Sequence, residues 1–154
     1  MKSQNKELLI KDLCSRLPYG IKGQAKGMIK FFGDEEVSDE PWTLTDINVQ
    51  CNRFGADSQI NIPLYNRIGE CNFKPYLFPM SSMTEEQKKE LVELGLAYYT
   101  KCEDIDDDGV IWVEKVIQIM PGTETDDWLL EHHFDHRGLI DKGLALDATG
   151  LNIY

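Results

Sequence analysis

All three histidines of the chain fall within five positions, in Glu131-His132-His133-Phe134-Asp135-His136-Arg137. On a single continuous helix, His132, Asp135 and His136 would share one face at i, i+3 and i+4. Two imidazoles and a carboxylate so placed could hold zinc or ferrous iron with coordination positions left open. Adjacent His132 and His133 diverge by about 100° and cannot both serve. The competing reading has Asp135 capping a new turn at His136-Arg137-Gly138, and His132 packing beside Trp128 at the edge of the core. The segment also lacks the glutamate that H-E-x-x-H proteases use as a general base.

A second oxygen-rich pattern is Asp104-Ile105-Asp106-Asp107-Asp108-Gly109. Asp104, Asp106 and Asp108 match the first, third and fifth ligands of a calcium loop, and Gly109 its sharp turn. The twelfth position, which should bring a bidentate carboxylate, is Lys115, with Glu114 one residue early. The alternative is a tight acidic turn into the following strand, with Gly109 accepting a positive φ.

Nucleophilic and nucleotide chemistry find no motif: there is no G-x-S-x-G elbow, P-loop or G-x-G-x-x-G. Cys14, Cys51, Cys71 and Cys102 form no C-x-x-C pair. Without an export signal they read as reduced, mostly buried thiols in a cytoplasm. No cofactor is implied.

Charge is unevenly placed. Residues 1–33 carry seven basic side chains against Glu7 and Asp12, a net +5, whereas the remaining 121 residues carry −16, for −11 overall. Lys22, Lys26 and Lys30, with Tyr19, Phe31, Phe32, Trp42 and Tyr65 nearby, form a candidate nucleic-acid surface. Strand aromatics of this kind are the usual content of a core. The acidic excess disfavours polyphosphate binding over the rest of the surface.

The elements that must position these groups follow from periodicity. Leu9, Leu13 and Leu17, widened by Ile10 and Cys14, predict a helix over 5–17 with Lys6, Lys11 and Arg16 nearer solvent, ended by Pro18-Tyr19-Gly20. Strands are predicted at 28–32, at 42–51 with a break at Asp46, and at 59–65, in an antiparallel meander or a small Sm/SH3-like barrel. Pro75 and Pro79 mark 72–82 as a connection. Thr84 and Gln87 supply a capping box for a helix predicted to run to about Thr100, with Gly95 inside it. A strand over 110–120, a helix capped by Thr125, a turn ended by Gly143 and a last short strand complete one α+β domain of residues 1–154. Its halves are a helix with β-meander (1–73) and a helical part with acidic turn and strand (74–154). No apolar run reaches the roughly 18 residues of a membrane helix.

Three stretches, LLIKDLCSRLPYGIK (8–22), KPYLFPMSSMTEEQKKEL (74–91) and DWLLEHHFDHRGLIDKGLALDA (127–148), resemble a family of short, functionally uncharacterised proteins of gut Bacteroidetes, their phages and mobile elements. Two positions depart: the family more usually has Arg where this chain has Phe78, and Tyr where it has His136. The resemblance brings no activity with it. It implies a non-enzymatic phage or mobile-element accessory protein acting on a host or phage protein; the His132/Asp135/His136 cluster and the basic N-terminal third leave a metal-dependent enzyme and a small-barrel nucleic-acid binder as alternatives.

Overall fold

The computed structural model describes residues 3–29, 35–57 and 59–154. Its helices are α1 (Ser3–Arg16), α2 (Glu85–Glu93) and α3 (Thr123–Glu131). The strands are β1 (Lys22–Ala25), β2 (Met28–Ile29), β3 (Glu35–Glu36), β4 (Trp42–Asn48), β5 (Arg53–Ala56), β6 (Ile60–Pro63), β7 (Phe73–Leu77), β8 (Ala97–Ile105), β9 (Ile111–Ile119) and β10 (Leu146–Asp147). A six-stranded sheet runs in the order β10-β7-β1-β4-β5-β6, antiparallel except where β10 lies parallel to β7. The fold is α+β, as the periodicity predicts. The meander is β4-β5-β6, and β10 and β6 are the sheet's two edges.

The ladder has two local irregularities with visible causes. Register shifts between Leu44 and Asp46, the break legible in the sequence, and Gly55 lies opposite Asp46 where a Cβ would meet its carboxylate. Strand β7 was expected to be a connection because of its prolines. It forms because pairing with β10 begins at Tyr76, one residue past Pro75, while Gly23 opposite Pro75 offers a bare backbone. A Cβ at Gly23 would strike the Phe73 ring and the Lys74 carbonyl.

Helix α1 lays Leu9 and Leu13 on the sheet, in a core with Ile21, Leu44, Phe54, Ile62, Phe73 and Leu139. Phe54 and Phe73 meet edge to face at 5.3 Å. The buried stripe of α1 is Leu9, Asp12, Leu13 and Arg16, at helical spacing, whereas Cys14 is exposed. Arg16 therefore points inward, against the expectation from the leucine repeat. Cys51 is also exposed, so the thiols are not mostly buried.

A second core joins Met83, Leu91, Ala97, Trp128, Leu129 and Phe134. Its helix α2 starts on the capping box, with Thr84 Oγ1 accepting from Gln87 N–H and the Gln87 side chain accepting from Thr84 N–H. It stops at Glu93 rather than near Thr100. Gly95 (φ +73°) donates to Val92, and Leu96 donates to Leu91, a Schellman ending that turns the chain into β8. Tyr98 and Tyr99 are consequently strand residues. In α3 the capping position is Gly122, and Thr125 is buried one turn inside.

Candidate functional site

The histidine segment does not continue α3. His132 is its C-cap, and His133 (φ +60°) takes the left-handed position, donating to Leu130 while Phe134 donates to Leu129. This ending repeats the geometry seen at Gly95, with histidine in the place of glycine. The one-face arrangement expected for His132, Asp135 and His136 is thereby broken. The His132 ring stacks on Trp128 at 3.9 Å, with Nδ1 2.8 Å from the Trp128 carbonyl. Both oxygens of Asp135 are committed to backbone, accepting from Leu139 N–H (2.7 Å) and Ile140 N–H (2.8 Å). Among the described residues no three His, Cys, Asp or Glu side chains converge to hold a metal.

The segment's other contacts are structural. His133 stacks on Tyr154 at 3.7 Å, and its carbonyl accepts from Phe78 N–H. Burial, reinforced by the charges of Arg16, His132 and Lys22, pushes its pKa down to about 4. Burial and the guanidinium charges of Arg137 and Arg16 lower that of His136 as well, against the opposing pull of the Phe134 backbone and Asp12. Below them lies an ionic chain. Asp12 Oδ2 is 2.7 Å from Arg16 Nε, and Asp12 Oδ1 is 3.0 Å from Arg137 Nη1. Asp12 and Arg16 are completely buried. The sequence gives no periodic signal for this chain, because its members are 121 or more positions from Arg137.

The acidic pattern is the tip of a hairpin. What precedes it is β8 rather than a helix, and Ile105 pairs with Ile111 to close the turn. Asp106 Oδ1 is turned inward, accepting from Asp108 N–H (3.0 Å) and Val110 N–H (2.8 Å), and Gly109 has φ +77°. Of Asp104 only the backbone is described; it pairs with Trp112. The twelfth loop position, Lys115, stands opposite Lys101, four ladder steps from the closing pair and so about 13 Å down the strands. A calcium loop is not formed, since the ladder carries away the residue that should close it.

Of the basic candidates, Lys22 is committed: its Nζ donates to the Ile153 carbonyl (3.0 Å). Tyr154 Oη bridges the Lys22 backbone and the Tyr76 carbonyl, and burial raises this hydroxyl's pKa to about 12. Lys26 lines a cavity with Lys74. Lys30, Phe31 and Phe32 lie outside the described residues. Tyr65 is buried with the Lys6 ammonium 4.1 Å over its ring, and Trp42 Nε1 donates to Ser38. The expected aromatic and basic residues thus form no common stacking face among the described residues.

What sequence reasoning missed is the arm itself. Strands β8 and β9 pair over nine rungs, about 30 Å. Ala97, Ile117 and Ile119 anchor the base in the second core. Beyond them, every described side chain from 101 to 115 is exposed except Asp106. Val110, Ile111 and Val113 are each more than half exposed, at 52%, 61% and 56%. Ile111 and Val113 share a face with Ile105, which is also exposed. No helix of the described residues is long and apolar enough to cross a membrane. Comparison of the chain with protein-family models, with curated proteins and with solved structures found no match.

Proposed function

We propose that the chain is a non-enzymatic interaction protein whose β8–β9 arm docks on a basic protein surface bearing an apolar strip. The observation that carries this reading is the exposed Ile105, Val110, Ile111 and Val113 at the end of a two-stranded ribbon. A ribbon of two strands is marginal in water, and its outer edges offer unpaired N–H and C=O groups. A partner that supplies a strand or an apolar slot would complete both. Residues 97–119 hold six acidic and two basic side chains, in a chain of net charge −11. Complementarity therefore favours a basic partner over another copy of this acidic chain. The resemblance to proteins of phages and mobile elements supports a host or phage protein in a cytoplasm as that partner.

The test is capture from host lysate by the full chain, identification of the bound protein, and titration of that purified protein against two variants. Ile111→Asp with Val113→Asp should weaken binding at least tenfold, about 1.4 kcal/mol. Asp107→Lys with Asp108→Lys should weaken it and flatten its salt dependence. A basic partner that binds both variants as tightly as the parent would overturn the reading. So would a dimer in sedimentation that both variants dissolve, since the arm would then serve self-association.

A further inference from the structure

The two edges of the β8–β9 arm differ in what they expose. Met120 N–H donates to Leu96 at the base of the ribbon, and Asp106 N–H donates to Val110 at its tip. Both pairs are even-numbered, and the register between them is unbroken. An antiparallel ladder alternates, so even-numbered residues bond across the ribbon and odd-numbered ones turn N–H and C=O outward. In the outer half of β9 the outward residues are Ile111, Val113 and Lys115; across from the last two, on β8, stand Glu103 and Lys101. Among the described residues this sheet has only its two strands. We infer that the β9 edge, from Ile111 to Lys115, takes an antiparallel strand from the partner. That strand has apolar residues beside Ile111 and Val113, an acidic one beside Lys115 and a basic one beside Glu114. The inference deepens the docking role proposed for the arm and rests on it.

The choice of edge follows from the side chains. Charged residues, lysine above all, are how proteins guard a free edge, and on β8 both Lys101 and Glu103 are exposed. On β9 the guard is missing beyond Lys115, for Ile111 and Val113 are more than half exposed. The backbone groups free to pair thus belong to the residues that carry the exposed apolar side chains. An added strand meets both at once, about 4.8 Å from β9, with alternate side chains on the Ile111–Val113 face. A helix or an apolar slot would cover the side chains but bury those N–H and C=O groups unpaired.

Charge fixes the register. Lys115 stands opposite Lys101 on one face, and like charges so paired repel. Neither has an ion pair among the described residues, so a carboxylate of the added strand beside Lys115 meets two ammonium groups. Glu114 is exposed on the other face, and Asp107 and Asp108 are exposed at the tip, where lysines suit them. A second copy of this chain does not supply these charges: pairing β9 with itself about Val113 sets Lys115 against Ile111.

The experiment uses the full chain and a capped heptapeptide, Glu-Lys-Val-Thr-Val-Lys-Lys. Its antiparallel register sets glutamate beside Lys115, the valines beside Val113 and Ile111, and the last lysines towards the tip. NMR should show saturable shifts and slower solvent exchange of the Ile111, Val113 and Lys115 amides, with those of Lys101 and Glu103 unchanged. The reversed peptide keeps both valines in place but sets lysine beside Lys115 and glutamate towards the aspartates, and should bind more weakly. Methylating the two valine amides, which face β9, should abolish binding. Val113→Pro removes one outward N–H without breaking a bond of the arm's own ladder, and should weaken binding at least tenfold. Glu103→Pro, directly across on β8, should leave it unchanged. Protection of the Lys101 and Glu103 amides instead, equal binding by the methylated peptide, or no amide shift at millimolar peptide would overturn the inference. So would a dimer in sedimentation that Val113→Pro dissolves, since the occupant would then be a second copy. The docking role is judged separately. A captured protein lost by Ile111→Asp with Val113→Asp but kept by Val113→Pro sinks the added strand alone, whereas one that every variant binds as tightly as the parent sinks the docking role.

Discussion

Arg16 Nη2 donates to the Phe134 carbonyl at 2.7 Å across 118 positions of sequence. The same guanidinium holds Asp12, which holds Arg137, so one buried ionic chain ties the sheet core to the second core. Its desolvation is costly, and its value to the fold is that removing one member strands the others. We expect Arg16→Met to lower unfolding free energy by about 3–5 kcal/mol, because it leaves a buried carbonyl and half of a buried carboxylate unpaired. The Lys88–Glu85 pair is equally short at 2.7 Å but lies at the surface, so Lys88→Met should leave stability nearly unchanged. Urea titrations of the two variants make the comparison.

His133 makes stability depend on pH. Its folded pKa of about 4 lies below the ordinary value of 6.5, so as pH falls the unfolded chain takes up the proton first. The neutral imidazole's contribution is complete above pH 6.5 and is lost progressively between 6.5 and 4. Solvent screening leaves it at about 1–2 kcal/mol. His136, shifted in the same direction, adds to the loss. Asparagine tolerates the left-handed backbone of this position without titrating. The drop in urea midpoint from pH 7 to pH 5 should therefore be smaller in His133→Asn than in the parent.

Two glycines separate conformational cost from steric cost. At Gly95 nothing lies within reach of an added Cβ, so Gly95→Ala should lose only the left-handed preference, about 1 kcal/mol. Gly23 has no room, since the Phe73 ring and the Lys74 carbonyl occupy the Cβ position and a carbonyl in the β1–β7 ladder cannot swing away. Gly23→Ala should cost more than Gly95→Ala, in the range of about 1–3 kcal/mol expected of an overpacked core. Thermal melts of both variants would rank them.

The fold was legible where the cue is local. The Thr84/Gln87 box, the Asp46 break, the Gly109 turn and Asp135 reaching forward to cap Leu139 and Ile140 all lie within a few residues of what they control. Where a local cue competes with a distant partner, the sequence misleads. Arg16 reads as a solvent-side cation on a leucine stripe, and only Phe134 and Asp12 together explain why it turns inward. Pro75 reads as a loop until Gly23 opposite it is known. The arm was hidden for a related reason: Tyr98 and Tyr99 extend the apolar period of α2, and the period does not register that Gly95 has already reversed the chain. Alternation predicts β9 well but cannot say that, among the described side chains, its outer half has no core to face.

That missing core sets the last expectation. If the outer rungs of β8 and β9 exist for a partner, the isolated chain should barely notice their loss. Replacing residues 101–115 by a short Asn-Gly turn keeps Ala97, Ile117 and Ile119 in the second core and removes only positions whose described side chains are exposed, Asp106 excepted. The shortened protein should unfold within about 0.5 kcal/mol of the parent, the range of surface changes away from packed groups. Amide exchange should show the same gradient in the intact chain, with 101–115 opening fastest and the base protected with α2. A loss of several kcal/mol on shortening would mean that the arm packs on its own body, and the exposed valines and isoleucines would then have no partner to await.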